Sequence, residues 1–390
     1  MATHRAEARR EVAVRSGRAE ARTALHFARE GHRARSRGPD PDSAGRARAS
    51  GAREGGHARR RWPPALRGVG PYALRRVRAD QSGRAVVGIR QAVEPGSVAV
   101  HVPVLLDEVL FLLRPRRGGW VIDGTVGMGG HAEAMLERTP VEVRLLGIDR
   151  DPEALARAGS RLARFGARAV LRRSDFRDLD RVARAHDVRV AQSILLDLGV
   201  SSPQIERSGR GLSFQTPAPL DMRLDPDGPQ TAADLLNGLP EAELARIIFE
   251  YGDERYARRI AGRIVRRRPL RTTDDLVAAV RAAVPRARWP RRTHVATKTF
   301  QALRIAVNDE LGALAQALPR AAALLAVGGR CGVISFHSGE DRVVKRTFRA
   351  LASEAYAELM PAPLAPGADE VRANPRARSA RLRVLERISS

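Results

Sequence analysis

The stretch Val121-Ile-Asp-Gly-Thr-Val-Gly-Met-Gly-Gly-His131, followed by Leu145-Leu-Gly-Ile-Asp149, decides the fold. A short apolar run ends in a carboxylate, a glycine-rich turn follows, a helix is expected to begin near His131, and a second apolar run ends in another acid. Strand, turn, helix, strand is the opening of a nucleotide-binding α/β unit. Gly127, Gly129 and Gly130 allow positive φ and let a ligand approach the main chain. Asp149 stands roughly twenty residues beyond the loop, where such folds bind ribose hydroxyls. A pyrophosphate loop has the spacing G-x-G-x-x-G with free amides, whereas here the glycines run G-x-G-G and Asp123 stands at the strand tip. A carboxylate there repels a pyrophosphate and attracts a cation. S-adenosylmethionine, with its sulfonium and ammonium groups, is the adenosyl cofactor that fits. The glycines alone would suit an unliganded turn, but two acids at these offsets argue against it.

Outward from this unit, strand and helix patterns alternate. The first organised segment begins at His101-Val-Pro-Val-Leu-Leu-Asp-Glu108, and apolar runs at 121–123, 145–149, 169–171 and 194–198 have the form of buried parallel strands. The fold class is therefore α/β, a Rossmann-like sheet with right-handed crossovers. After Pro203 a loop rich in Pro, Gly and Asp runs to about Gln230, and helices are expected at 231–237, 240–251, 254–268 and 272–284, the last with Thr273 as its N-cap. A long helical stretch from about Thr297, a strand over 329–336 and a terminal strand over 381–387 complete the pattern. The expected division is a disordered Arg/Ala/Gly-rich extension over 1–95, the sheet domain in two parts over 96–207 and 301–390, and a helical insertion over 208–300 that binds substrate RNA.

The chain has 390 residues and a formal net charge of +25, which points to a polyanionic partner. Residues 1–100 hold 22 Arg against nine Asp and Glu, a difference of +13, so the remainder still carries +12. Lys298 and Lys345 are the only lysines, and a GC-rich genome produces such an arginine bias without selection for binding. In the helix expected over 254–268, Ile260 and Ile264 share one face while Arg258, Arg259, Arg263, Arg266 and Arg267 crowd the others. Five arginines with few acids to pair them favour phosphate contact over a merely solvated face. Cys331, the only cysteine, excludes an intramolecular disulfide and a cysteine-based zinc cluster, and no metal ligands are assigned. No apolar run is long enough to span a bilayer and no signal segment opens the chain, so a cytoplasmic location is expected.

Seven blocks in fixed order carry a resemblance. They are His101–Glu108, Asp123–His131, Ile148-Asp-Arg-Asp-Pro152, Leu196-Asp-Leu-Gly-Val-Ser-Ser-Pro-Gln204, Leu220-Asp-Met-Arg223, Thr299-Phe-Gln-Ala-Leu-Arg-Ile305 with Asn308-Asp-Glu-Leu311, and Ser335-Phe-His-Ser-Gly-Glu-Asp-Arg342. Together they resemble the bacterial ribosomal RNA small subunit methyltransferase H family over roughly residues 99–388. The resemblance implies methylation of N4 of a cytidine in the decoding region of 16S rRNA, with S-adenosylmethionine as donor. It also implies a substrate within the small ribosomal subunit, and it is compatible with a homodimer. It carries the cofactor contacts onto Gly129, Gly130, His131, Asp149, Phe176, Asp197 and Gln204. Small departures at Leu212, Asp253 and Gly339 preserve the charged positions.

An exocyclic cytosine amine is a poor nucleophile because its lone pair is delocalised into the ring. The loop Asp197-Leu-Gly-Val-Ser-Ser-Pro-Gln204 resembles the acidic or polar Pro-containing loop that amino-methyltransferases place beside the reacting amine, so Asp197, Ser201, Ser202 and Pro203 are the expected catalytic positions. Catalysis is then mostly alignment and polarisation, without a covalent intermediate. His337, Glu340 and Asp341 either contact RNA or support that loop. Two other functions share some of these features: a nicotinamide-dependent oxidoreductase, and a non-enzymatic ribosome-assembly factor.

Overall fold

The computed structural model describes residues 103–113, 118–199 and 209–389. The expected extension over 1–95, and Ser201, Ser202, Pro203 and Gln204, lie outside the described residues. In chain order the first half consists of α1 (Leu106–Leu113), β1 (Gly119–Asp123), α2 (Gly130–Glu137), β2 (Val143–Asp149), α3 (Pro152–Leu162), β3 (Ala169–Arg173), α4 (Leu179–Ala185) and β4 (Ala191–Asp197). Six helices follow: α5 (Ala232–Gly238), α6 (Glu241–Gly252), α7 (Ala257–Arg266), α8 (Thr273–Ala283), α9 (Thr297–Asn308) and α10 (Glu310–Leu324). The chain then forms β5 (Leu325–Ser335), α11 (Ser338–Leu351), β6 (Tyr356–Glu358), α12 (Ala368–Ala373) and β7 (Arg381–Arg387).

The seven strands make one sheet in the order β3-β2-β1-β4-β5-β7-β6, parallel from β3 to β5 and antiparallel at β7 and β6. Its central strands β1, β2 and β4 read as largely apolar runs because both faces are covered. Val121, Leu145 and Leu195 pack with α1, α2 and α3 on one face, while Ile122, Leu146, Ile194 and Leu196 meet α10 and Phe348 of α11 on the other. Register pairs Asp123 with Gly147 and Leu195, Asp149 with Arg173, and Asp197 with Ile334, so the three aspartates lie along one edge. Strand order reverses between β1 and β4, the crevice where open α/β sheets bind ligands.

Between β4 and β5 the helices α5 to α9 close around their own apolar core, which includes Leu236, Leu244, Ile248, Ile260, Ile264, Leu276, Phe300 and Leu303. The N-cap of α8 is Thr272 rather than the expected Thr273. Thr272 forms a capping box with Asp275, whereas Thr273 is buried and its hydroxyl oxygen accepts from the Ala218 amide at 3.1 Å. The helical stretch from Thr297 divides into α9 and α10 because Asp309 takes a left-handed conformation, φ 46° and ψ 43°. Strand β6 was not foreseen; three residues are too few to show a period.

Candidate active site and cofactor cleft

A cleft of about 610 Å³ opens at the β1/β4 edge. Gly124 follows the tip of β1 and donates its amide to the Leu195 carbonyl at 2.9 Å, and Val126 donates to the Ile148 carbonyl at 2.9 Å. The turn therefore folds over the strand ends. It covers Asp123, which is 1 % exposed, does not line the cleft, and accepts from the Thr125 amide at 3.2 Å. Burial, with a smaller push from Asp149, raises the Asp123 carboxyl to about 7. The expected direct attraction of a cationic ligand by Asp123 gives way to a role beneath the loop.

Asp149 does face the cleft, and its carboxylate is fixed at both oxygens. Oδ2 accepts from the Gly127 amide and Oδ1 from the Asp151 amide, both at 2.9 Å. Each oxygen keeps a second lone pair for a ligand hydroxyl. Gly127 reaches this position at φ 50°. Gly129, at φ 80°, opens α2 but does not line the cleft; a Cβ there would lie 3.4 Å from Ala158, so its place is the contact between α2 and α3. Gly130, His131, Phe176 and Asp197 line the cleft with Asp149. Phe176 opens a short 3-10 turn after β3 and presents a mostly buried ring.

Asp197 ends β4, held by its own amide, which donates to Thr125 Oγ1 at 2.6 Å. Its Oδ2 lies 3.5 Å from His131 Nδ1, and its Oδ1 is buried without a hydrogen-bond partner. Burial first, then the charges of Asp123 and Glu340, push its carboxyl well above the usual carboxylate range. The His131 side chain is thus a site group in its own right, 6 % exposed, with Nε2 3.0 Å from the Val104 carbonyl.

A compact polar cluster also lines the cleft. Arg304 of α9 donates to both oxygens of Glu310 at 2.8 Å. Glu340 Oε2 accepts from the amides of Phe336 at 2.7 Å and His337 at 3.2 Å, and His337 caps α11 by accepting from the Glu340 amide at 3.3 Å. Burial would raise the Glu340 carboxyl, but His337, Arg304 and the Phe336 amide outweigh it and hold it below its ordinary value. Glu310, His337 and Glu340 offer atoms within 4.8 Å of one another, yet Arg304 engages both Glu310 oxygens, the helix-capping amides engage Glu340 Oε2, and Glu340 Oε1 lies 3.2 Å from His337 Nε2. Asp341 points away from the cleft and pairs with Arg383 of β7 at 2.7 Å. Cys331 is buried within β5 and its thiol is pushed up to about 12 by burial, so a thiolate nucleophile for ring-carbon chemistry is not on hand.

The wall opposite the sheet edge comes from the helical layer, through residues 212–215 of a loop and Thr297, Phe300, Gln301 and Arg304 of α9. Phe214 stacks on His294 at 4.5 Å between ring centroids and meets Phe300 edge-on at 5.2 Å. Sequence reasoning assigned no role to this wall, although Leu212 to Phe214 and Thr299 to Ile305 stood in or beside recurring blocks. Arg376 and Arg378, which also line the cleft, follow α12 in a segment with no motif to announce it.

A model of the MraW methylase family matches residues 98–388. The chain belongs to the MraW methylase family. It is 49 % identical over 311 residues to ribosomal RNA small subunit methyltransferase H of Heliobacterium modesticaldum, covering 74 % of this chain and 98 % of that protein. It is 50 % identical over 310 residues to the protein of the same name from Syntrophotalea carbinolica, again covering 74 % and 98 %. Among solved structures, an rRNA methylase from Streptococcus thermophilus aligns with 73 % of this chain and 94 % of its own, at 12 % identity and a TM-score of 0.35. The chain is a methyltransferase that uses S-adenosylmethionine, and the oxidoreductase alternative falls with that. No helix among the described residues is long and apolar enough to cross a membrane.

Proposed function

We propose that this enzyme methylates N4 of a cytidine in the decoding region of 16S rRNA within the small ribosomal subunit, acting in the cytoplasm. The relatives named ribosomal RNA small subunit methyltransferase H support that substrate. The observation that carries the chemistry is the Asp197 carboxylate at the end of β4, which lines the cleft and keeps one buried oxygen, Oδ1, without a hydrogen-bond partner.

The residues present fit S-adenosylmethionine, which when bound supplies an electrophilic methyl on a sulfonium. Asp149 accepts from the ribose diol with the lone pairs that Gly127 and Asp151 leave open. Phe176 offers an apolar face to adenine, and the amides of Gly130 and His131 border the amino-acid end of the cofactor. Asp197 places negative charge beside a cationic donor. Ser201, Ser202, Pro203 and Gln204, outside the described residues, are carried over from the family resemblance as acceptor and cofactor positions.

The target base leaves its stack and enters against Phe214 and Phe300. Asp197 Oδ1 accepts one hydrogen of the exocyclic amine, which favours a pyramidal nitrogen whose lone pair points along the methyl–sulfur axis. Catalysis is alignment plus polarisation. The helical insertion holds the RNA with the arginines of α7. Arg258, Arg259, Arg266 and Arg267 are exposed and Arg263 is half-buried, with no acid paired to any of them among the described residues.

Mass mapping of 16S rRNA from a strain lacking the protein tests this function. The expected result is loss of a methyl group from one decoding-region cytidine, restored when the purified enzyme and S-adenosylmethionine are added to the mutant small subunits. An unchanged methylation map would refute it.

A further inference from the structure

Methyl transfer to an amine leaves a hydrogen to be disposed of. The nitrogen lone pair forms the new N–C bond, the electrons of the broken C–S bond remain on sulfur as a thioether, and the nitrogen, now positively charged, must give up one proton. A base within hydrogen-bond reach of that nitrogen is required. Asp197 is the acid at that place, but alone it is a poor candidate. Asp123 from β1 and Glu340 from α11 act on it as like charges, and Arg304, which also lines the cleft, is committed to Glu310. Arg150, Arg376 and Arg378 line the same cleft, and Arg150 pairs with Asp175 at 3.4 Å. What distinguishes Asp197 is His131.

The His131 ring is buried between two acceptors. Nε2 lies 3.0 Å from the Val104 carbonyl, which can only accept, so Nε2 carries a hydrogen. Nδ1 is thereby turned to Asp197 Oδ2 at 3.5 Å. A proton shared between these two atoms, as imidazolium with carboxylate or as imidazole with carboxylic acid, turns their approach into an attraction.

We infer that His131 is a positioning residue that shares one proton with Asp197 and so keeps Asp197 Oδ1 able to accept the proton released by the methylated amine. The Val104 carbonyl fixes the ring so that Nδ1 cannot turn away. Without the imidazole, burial and the two like-charged acids push the Asp197 carboxyl well above the usual carboxylate range, toward holding its own proton and away from accepting another. His131 therefore acts through Asp197. Its role differs from a cofactor contact, which its backbone amide can supply whatever the side chain.

This inference rests on the proposed amine-methylating function, and two measurements keep the two apart. In full-length protein with ¹⁵N-labelled histidine rings, the His131 signal, assigned with His131→Gln, is followed against pH without cofactor or RNA. The expected result is a titration that moves to lower pH by about one unit or more in Asp197→Asn, because an anion within bonding reach favours the charged imidazole. An identical titration in parent and variant would overturn the shared proton. In methylation of small subunits, His131→Gln should lower kcat about tenfold or more at neutral pH and recover as pH is raised, with KM for S-adenosylmethionine within about twofold of the parent. A loss of kcat equal at all pH values, or a raised KM with kcat intact, would overturn the positioning role. If the parent enzyme makes no N4-methylcytidine, the proposed function fails while the ring titration still decides the pair; if His131→Gln does not fold, Asp197→Asn carries the test alone.

Discussion

The edge of the sheet and the helical layer above it are opposites in how they carry charge. At the edge, Asp123, Asp149 and Asp197 sit at neighbouring strand tips, Asp123 buried and the other two half-buried, and all three carboxyls are shifted upward. On α7, Arg258, Arg259, Arg266 and Arg267 are exposed over an apolar face that Ile260 and Ile264 already anchor. Burial makes charge costly and chemically useful; exposure makes it cheap and suited to a polyanion. Because the two regions have separate apolar cores, substitutions in one should leave the other's behaviour unchanged.

The sharpest way to sharpen that contrast is Asp123→Asn, which keeps an acceptor for the Thr125 amide but removes the buried charge. The folded carboxyl titrates at about 7, above its unfolded value near 4, so the folded state holds the extra proton between those limits. Its stabilising effect is full below about pH 4 and is lost as pH rises to about 7. Relative to the parent, the variant should gain roughly 2 to 4 kcal/mol of stability between pH 5 and pH 8. Denaturant melts at the two pH values measure it, and a gap that stays constant with pH would mean that the edge is not strained by charge.

Next in size is Asp149→Ala. Loss of charge-assisted hydrogen bonds should weaken cofactor binding by roughly 1.5 to 3 kcal/mol, while binding of small subunits holds steady. Calorimetry with S-adenosylmethionine reads the first and filter binding the second. Unchanged cofactor affinity in a folded variant would remove Asp149 from the site.

The sheet edge was also the more legible region. Its central strands β1, β2 and β4 are largely buried, so each appears as an apolar run ending in an acid, and its turns need glycine at Gly127 and Gly129, where φ is positive. What stayed hidden there is contact across the chain. Nothing local to Asp123 announces that the following turn covers it, and nothing at His131 announces that its ring meets both Val104 and Asp197, 66 residues further on. In the helical layer the helices were visible from their apolar spacing, but nothing local to Phe214, His294 or Phe300 announces that their rings come together. The Thr272 and Thr273 pair shows the same limit on a small scale. Both are capping residues by type, and only the packing of Thr273 against Ala218 decides between them.

The helical layer's side of the comparison can be broken with Arg258, Arg263 and Arg267 replaced together by Gln. If they meet phosphates, binding of small subunits should weaken alike for all sequences, and the log–log salt slope should flatten by about one unit per lost contact. Cofactor affinity should not move. The same salt slope as the parent would make the run a solvated face, with the RNA held elsewhere.

The smallest expected effect comes from removing residues 1–95, and it decides whether two regions are enough to describe the enzyme. That stretch holds a large share of the net positive charge, so on charge alone it competes with α7 as the RNA-holding element. Two observations weigh against it. It has no apolar periodicity with which to join either core, and the family match begins only at residue 98. The shortened chain should therefore fold, bind S-adenosylmethionine like the parent and methylate small subunits at a rate within about twofold, since charges beyond about a Debye length, roughly 8 Å at physiological salt, are largely screened. The informative comparison is at low salt, where long-range attraction persists. A slower association there, vanishing at physiological ionic strength, would make the stretch an electrostatic aid only. Loss of methylation at physiological salt with cofactor affinity intact would give the molecule a third working region and would move the RNA-holding role away from α7.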